Sequence, residues 1–148
     1  KDPIGDARIH AMTFYRTPES LNKRFSRSMN NEKGIFNVES WLDHHAIKLN
    51  QRFSLSSYKF LNKLLRSANI TRDDSRLESK IMPSKSEIHI ISVDSDIFFL
   101  PDEDKMTTQR LEKQKVKIKN HVIESIHGHD AFLIETKQIS DIFTKILK

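Results

Sequence analysis

Residues 125–135, SIHGHDAFLIE, set two histidines one glycine apart, follow the second directly with an aspartate, and then turn apolar. Upstream, DSD at 94–96 adds two more carboxylates just after a short β-branched run. Side chains of these types can hold a metal ion, cap a helix, or act together as base and orienting acid in a nucleophilic mechanism. For metal, Asp94, Asp96, His127 and His129 are a plausible donor set for zinc or iron. The H-x-H-x-D-H pattern of metallo-hydrolases is absent, however, and H-x-H alone is a weak signal. His127 reads as a cap for the last helix. DHH at 43–45 falls in a helical stretch, where the adjacent His44 and His45 point to different faces, so they read as ordinary helix residues.

The elements around these residues favour the catalytic reading. EIHIISV (87–93) is rich in β-branched residues and suits a buried strand, with DSDIFFLP as the loop at its carboxyl end. Residues 102–114 read as a helix, 116–125 as a second strand, and Ile139, Ile142, Phe143 and Ile146 keep helical spacing to the C-terminus. Strand, helix, strand, helix implies a parallel α/β sheet. In open parallel sheets chemistry collects at the carboxyl ends of the strands, where both loops lie. An acid after one strand and a histidine after the next is the order of the last two members of a Ser–Asp–His triad. Two strands alone make a poor sheet, so a further segment is expected to complete it.

The first half reads as all-helical. Residues 6–16 form a short helix carrying Ile9, Met12 and Tyr15. Thr17, Pro18 and Glu19 suit the cap and first turn of a second, on which Leu21, Phe25 and Met29 make a stripe. NNEKG (30–34) reads as a loop. Asn37 reads as the cap of a helix bearing Val38, Trp41, Leu42, Leu49 and Phe53. SLSS (54–57) breaks that helix, and Tyr58, Leu61, Leu64 and Leu65 carry another to about Ser67. A polar stretch with Pro83 marks a boundary. The domain reading is therefore a helical region at 1–75, a linker at 76–86, and an α/β part at 87–148.

Composition narrows the chemistry. The 148 residues suit one ordinary domain, with 36% apolar and 30% charged residues. Without cysteine, disulfides, thiolate metal sites and a cysteine nucleophile are excluded, which fits a reducing cytoplasm. No apolar run approaches the roughly 18–20 residues of a membrane span. The net charge of +5 is scattered among interspersed acids, as on solvated faces, and not gathered as a nucleic-acid groove. Only Gly5, Gly34 and Gly128 are present, and none belongs to a G-x-S-x-G elbow, a Walker loop or a dinucleotide fingerprint. A glycine-rich turn has to come from another segment. The chain has no initiator Met and no signal-peptide core at its start, so it reads as the interior of a longer polypeptide.

Four stretches, ARIHAMTFYRTPESLNKRFSR, FNVESWLDHHAIKLNQRFSLSSYKFLNKLL, VDSDIFFLP and HGHDAFLIE, together resemble the homoserine O-acetyltransferase family, collinearly and through nearly the whole chain. The resemblance implies the C-terminal part of an α/β-hydrolase fold preceded by a helical lid, with the N-terminal half of the sheet missing. It implies that Asp96 is the triad acid, His129 the triad base, and Asp130 the group that holds the homoserine amino group. It matches Arg8 and Tyr15 to substrate-binding positions, the arginine pairing with the substrate carboxylate. Further implications are acetyl-CoA as co-substrate with no bound cofactor or metal, a serine nucleophile outside this chain, a homodimer formed through the lid helices, a role in methionine biosynthesis, and a cytoplasmic location. A chain without the nucleophile is expected to be inactive alone. The alternatives are a serine or homoserine O-succinyltransferase or esterase of the same fold, a non-catalytic helical dimerisation module, and, from charge alone, a nucleic-acid binder.

Overall fold

The structure, a computed structural model, describes residues 2–70, 76, 79, 81 and 85–147. The chain divides into two compact units, residues 1–68 and 69–148. Most of the expected linker at 76–86 lies outside the described residues.

The first unit is built of helices α1 (Pro3–Tyr15), α2 (Pro18–Phe25), α3 (Asn37–Arg52) and α4 (Leu55–Ser67). α1 starts three residues before the expected Asp6, because the Asp2 carboxylate accepts the Gly5 N–H at 2.9 Å and Pro3 suits the first helical position. Gly5 sits in a tight place, beside the Asp2 carboxylate that caps the helix. A Cβ there would sit 3.2 Å from the Ala46 side chain, so the missing side chain lets α1 and α3 approach closely. Ile4, Met12 and Ala46 are buried. At α2 the expected cap is found, with Thr17 Oγ1 accepting the Ser20 N–H at 3.0 Å.

Three local expectations are corrected. Met29 does not continue the α2 stripe: Ser26 takes a positive φ of 49° and ends the helix after Phe25. Residues 30–34 are not a plain loop but the bend of a small antiparallel hairpin, β1 (Met29–Asn30) against β2 (Ile35–Phe36). Asn37 is not the cap of α3. Phe36 occupies that position and its N–H donates to the Glu39 carboxylate at 2.7 Å, while Asn37 is the first helical residue and its amide donates to Ser28 Oγ at 2.9 Å.

The second unit contains β3 (Ile88–Val93), α5 (Pro101–Glu112), β4 (Ile118–Ile123), a 3-10 turn (Gly128–Asp130), α6 (Ala131–Ile134) and α7 (Thr136–Ile146). The two strands pair in parallel, from Ile88 opposite Ile118 to Val93 opposite Ile123. Side chains alternate between the two faces. Val93 and Ile123 form the core on one face with Ala131 and Ile142, and Ile91, Ile139 and Ile146 pack against them. On the other face Ser92 Oγ donates to the Asp104 carboxylate of α5 at 2.8 Å. Helices therefore flank a parallel pair of strands, as the strand–helix–strand–helix order predicts. Among the described residues β3 bonds to no strand other than β4.

Candidate active site

The α/β unit brings its candidate residues together at the carboxyl ends of β3 and β4. Just past Val93 the chain turns tightly, with the Asp96 N–H donating to the Val93 carbonyl at 3.1 Å. The Asp96 carboxylate is 6% exposed and used twice. Oδ1 accepts the N–H groups of Phe98 at 2.7 Å and Phe99 at 3.1 Å, and Oδ2 lies 2.9 Å from His129 Nδ1. Two backbone donors thus orient the carboxylate before it meets the imidazole, and its burial is compensated.

His129 sits in the 3-10 turn. The residue before it, Gly128, is buried and takes a φ of +65°, a conformation that glycine adopts without steric cost. That left-handed step lets the chain leave β4 and reverse toward Asp96 within a few residues. The His129 side chain is 22% exposed. Rings of Phe98, Phe99 and Phe132 surround it with centroids 5.3, 5.2 and 5.6 Å away. The imidazole is bound by an acid at Nδ1 and flanked by three aromatic rings.

The two loops are laced together. Ser95 Oγ donates to the Ser125 carbonyl and accepts the Gly128 N–H at 3.0 Å. The Ser125 N–H donates to Asp94 at 2.9 Å, and Ser125 Oγ donates to Glu135 at 2.7 Å while accepting the His127 N–H at 3.2 Å. Asp94 therefore serves the loop backbone and Asp96 the imidazole, a distinction that spacing in DSD does not reveal. The 3-10 turn and α7 have no side-chain cap bond, so the expected role of His127 as a cap is not found. Asp130 follows His129 directly and is half-buried. A cavity of about 490 Å³ opens beside the pair, lined by Asp96, His129, Phe99, Phe132 and residues from both faces of β3, including Ile91 and Ser92.

Arg8 and Tyr15 lie in the helical unit, on α1. Seven residues is close to two helical turns, so they share a face. The Arg8 guanidinium lies 5.4 Å from the centre of the Tyr15 ring, and both are half-buried. His44 and His45 are edge-to-face neighbours on α3 with centroids 5.8 Å apart, and His45 packs on Trp41 at 4.7 Å. Among the described residues no group of three or more histidines, cysteines or acids could hold a metal ion. No helix of the described residues is long and apolar enough to cross a membrane.

No protein-family model matches the chain. Curated relatives do. A homoserine O-acetyltransferase of Methanococcus vannielii is 33% identical over 148 aligned residues, covering 95% of this chain and 30% of the relative. One of Clavibacter michiganensis is 31% identical, covering 95% of the chain and 38% of the relative. One of Chlorobium chlorochromatii is 28% identical, covering 97% of the chain and 40% of the relative. The chain is a relative of the homoserine O-acetyltransferases. It spans between 30% and 40% of the length of these three enzymes. They are acyltransferases by name, and the likeness covers 95–97% of the chain and so runs through both units.

Proposed function

We propose that this chain is the C-terminal portion of a homoserine O-acetyltransferase on an α/β-hydrolase scaffold, with Asp96 and His129 as triad acid and base. The observation that carries this reading is the 2.9 Å bond between His129 Nδ1 and a buried carboxylate already oriented by two backbone donors. Such a carboxylate fixes the imidazole tautomer and stabilises the imidazolium, leaving Nε2 as the atom that exchanges protons with the nucleophile. Among the described residues β3 pairs only with β4, which supports a further strand from the polypeptide that also supplies the serine.

In the complete enzyme His129 takes the serine proton as the hydroxyl attacks the acetyl thioester of acetyl-CoA. The proton passes to the departing thiolate, and an acetyl-serine remains. Homoserine then enters, with Arg8 and Tyr15 at its carboxylate end and Asp130 at its amino group. His129 deprotonates its hydroxyl, which accepts the acetyl group and regenerates the serine. The helical unit acts as a lid that excludes water, since water at that stage would hydrolyse the acyl-enzyme. The apolar side chains Phe60, Leu61, Leu64 and Leu65, exposed on α4, support a homodimer through this unit. The cytoplasm is its location, and the reaction belongs to methionine biosynthesis.

The test is a chimera in which this chain replaces the aligned segment of the Methanococcus vannielii relative, assayed for CoA release. Homoserine-dependent release that disappears in His129→Ala is expected. Release with serine but not homoserine would replace the acceptor, and release with succinyl-CoA but not acetyl-CoA would replace the donor. A folded chimera whose release is indifferent to His129→Ala overturns the triad reading.

A further inference from the structure

We propose that Ser95 is a positioning residue whose hydroxyl holds the His129 turn in register with Asp96. The proposal rests on the Asp96–His129 pairing described above and goes beyond it. Asp96 is fixed within its own loop by the Phe98 and Phe99 N–H groups. Those bonds say nothing about where the neighbouring loop stands. The strand ladder does not reach that far either: its last cross-strand bond, Asp94 N–H to the Ile123 carbonyl at 3.0 Å, comes six residues before His129. Beyond it, the loops are joined by side chains.

Among these joins Ser95 has a particular position. It adjoins Asp96 in the chain, and its Oγ binds two points of the segment that leads into His129, donating to the Ser125 carbonyl and accepting the Gly128 N–H at 3.0 Å. A hydroxyl has one proton and two lone pairs, so one atom can do both without conflict. Gly128 is the residue in the left-handed conformation, adjacent to His129. Its N–H is therefore tethered at the hinge that aims the imidazole. The other joins centre on Ser125, which bonds Asp94, Glu135 and the His127 N–H; they hold the loop as far as the residue before Gly128, and the Gly128 N–H itself is held by Ser95. An error of about 1 Å in such a pairing can cost about 100-fold in rate, so a single tether at the hinge is consequential.

The readout is the His129 imidazole N–H resonance of this 148-residue chain, assigned by its loss in His129→Ala, with its exchange against water measured by NMR. Ser95→Ala should speed that exchange about two- to tenfold, the factor that loss of one hydrogen bond of ordinary strength supplies. Ser95→Thr, which keeps the hydroxyl, should restore the slow rate. Ser92→Ala removes a serine–carboxylate bond on the other face of the same strand and should leave the resonance unchanged, separating positioning from general destabilisation. Should Ser95→Ala fail to fold, Ser95→Cys decides, since a weak thiol donor should give an intermediate rate. Exchange at the wild-type rate in folded Ser95→Ala or Ser95→Cys overturns the proposal. An unaltered resonance in Asp96→Asn instead overturns the pairing on which it rests, a distinct result.

Discussion

In the α/β unit, Asp96 and His129 come from loops 33 residues apart and are brought to 2.9 Å by backbone donors, a left-handed glycine and a serine cross-link. In the helical unit, Arg8 and Tyr15 come from one helix and meet through its periodicity, with the guanidinium against the ring face at 5.4 Å. The first arrangement is fixed by many partners, so its geometry is largely prepaid. The second pair shares one face of one helix. The roles proposed for the two pairs ask different things of them: a proton relay depends on placement to within about 1 Å, whereas gripping a carboxylate needs a charged, bidentate donor.

The largest expected effect breaks the prepaid arrangement. In the chimera, Asp96→Asn should keep the loop fold yet lower kcat about 10,000-fold, because an amide favours the wrong imidazole tautomer. Steady-state CoA release checks it. A loss of less than tenfold would mean that the buried carboxylate is structural.

The next effect separates the units by their packing. Ile123 is fully buried, at 0% exposure, in the core that supports both loops. Ile123→Ala should cost about 2–5 kcal/mol in urea unfolding. Leu65 on α4 is 74% exposed, and Leu65→Ala should fall within about 0.5 kcal/mol. If Leu65→Ala proves costly, and more so at higher protein concentration, its face is covered by a second copy, and the contrast in burial belongs to the isolated chain only.

A smaller effect is expected at α1. Arg8→Lys keeps the charge but loses the planar fork, so KM for homoserine should rise about tenfold with kcat little changed. A fall in kcat at constant KM would instead give Arg8 a part in the transition state, and the distinction between gripping and chemistry would fail.

These contrasts also explain what could be read from the residues alone. The parallel strands were legible because EIHIISV and VKIKNHVI carry their own β signal and alternate with helices, and an acid loop and a histidine loop because they end those strands; the choice of Asp96 over Asp94 and of His129 over His127 came from the family resemblance. The helix at Thr17 was legible because its cap is local. Met29 and Asn37 were misjudged because their fates depend on Ser26 at positive φ and on the Glu39 carboxylate taking the Phe36 N–H, both choices that compete with apolar spacing. The Ser95 and Ser125 cross-links gave no local signal, since each partner lies about 30 residues away and serine is common in loops. The S-D pair beside the acid was the nearest hint.

The smallest effect concerns a second histidine pair in the α/β unit. His89 Nδ1 and His121 Nε2 lie 2.9 Å apart on adjacent strands, with Glu87 3.6 Å from His89 and bridged to Lys119 at 2.7 Å. Burial pushes the His121 imidazole below its ordinary value, and the charges of His89, Lys119 and Lys145 push it further the same way. Between that lowered value and the unfolded value of about 6.5, the unfolded chain binds more protons than the folded one. Stability there must rise with pH: the contribution is fully present above the unfolded value and is lost as pH falls through the folded one. Hydrogen-exchange protection of the β3–β4 ladder should therefore drop on acidification from pH about 7.5 to 5.5, and His121→Phe should flatten the drop. Protection of α1, which has no such pair, should change less. If the ladder and α1 lose protection in parallel, or if His121→Phe leaves the slope unaltered, the proton linkage lies elsewhere. The strand pair would then differ from the helices in how it is packed and not in how it responds to pH.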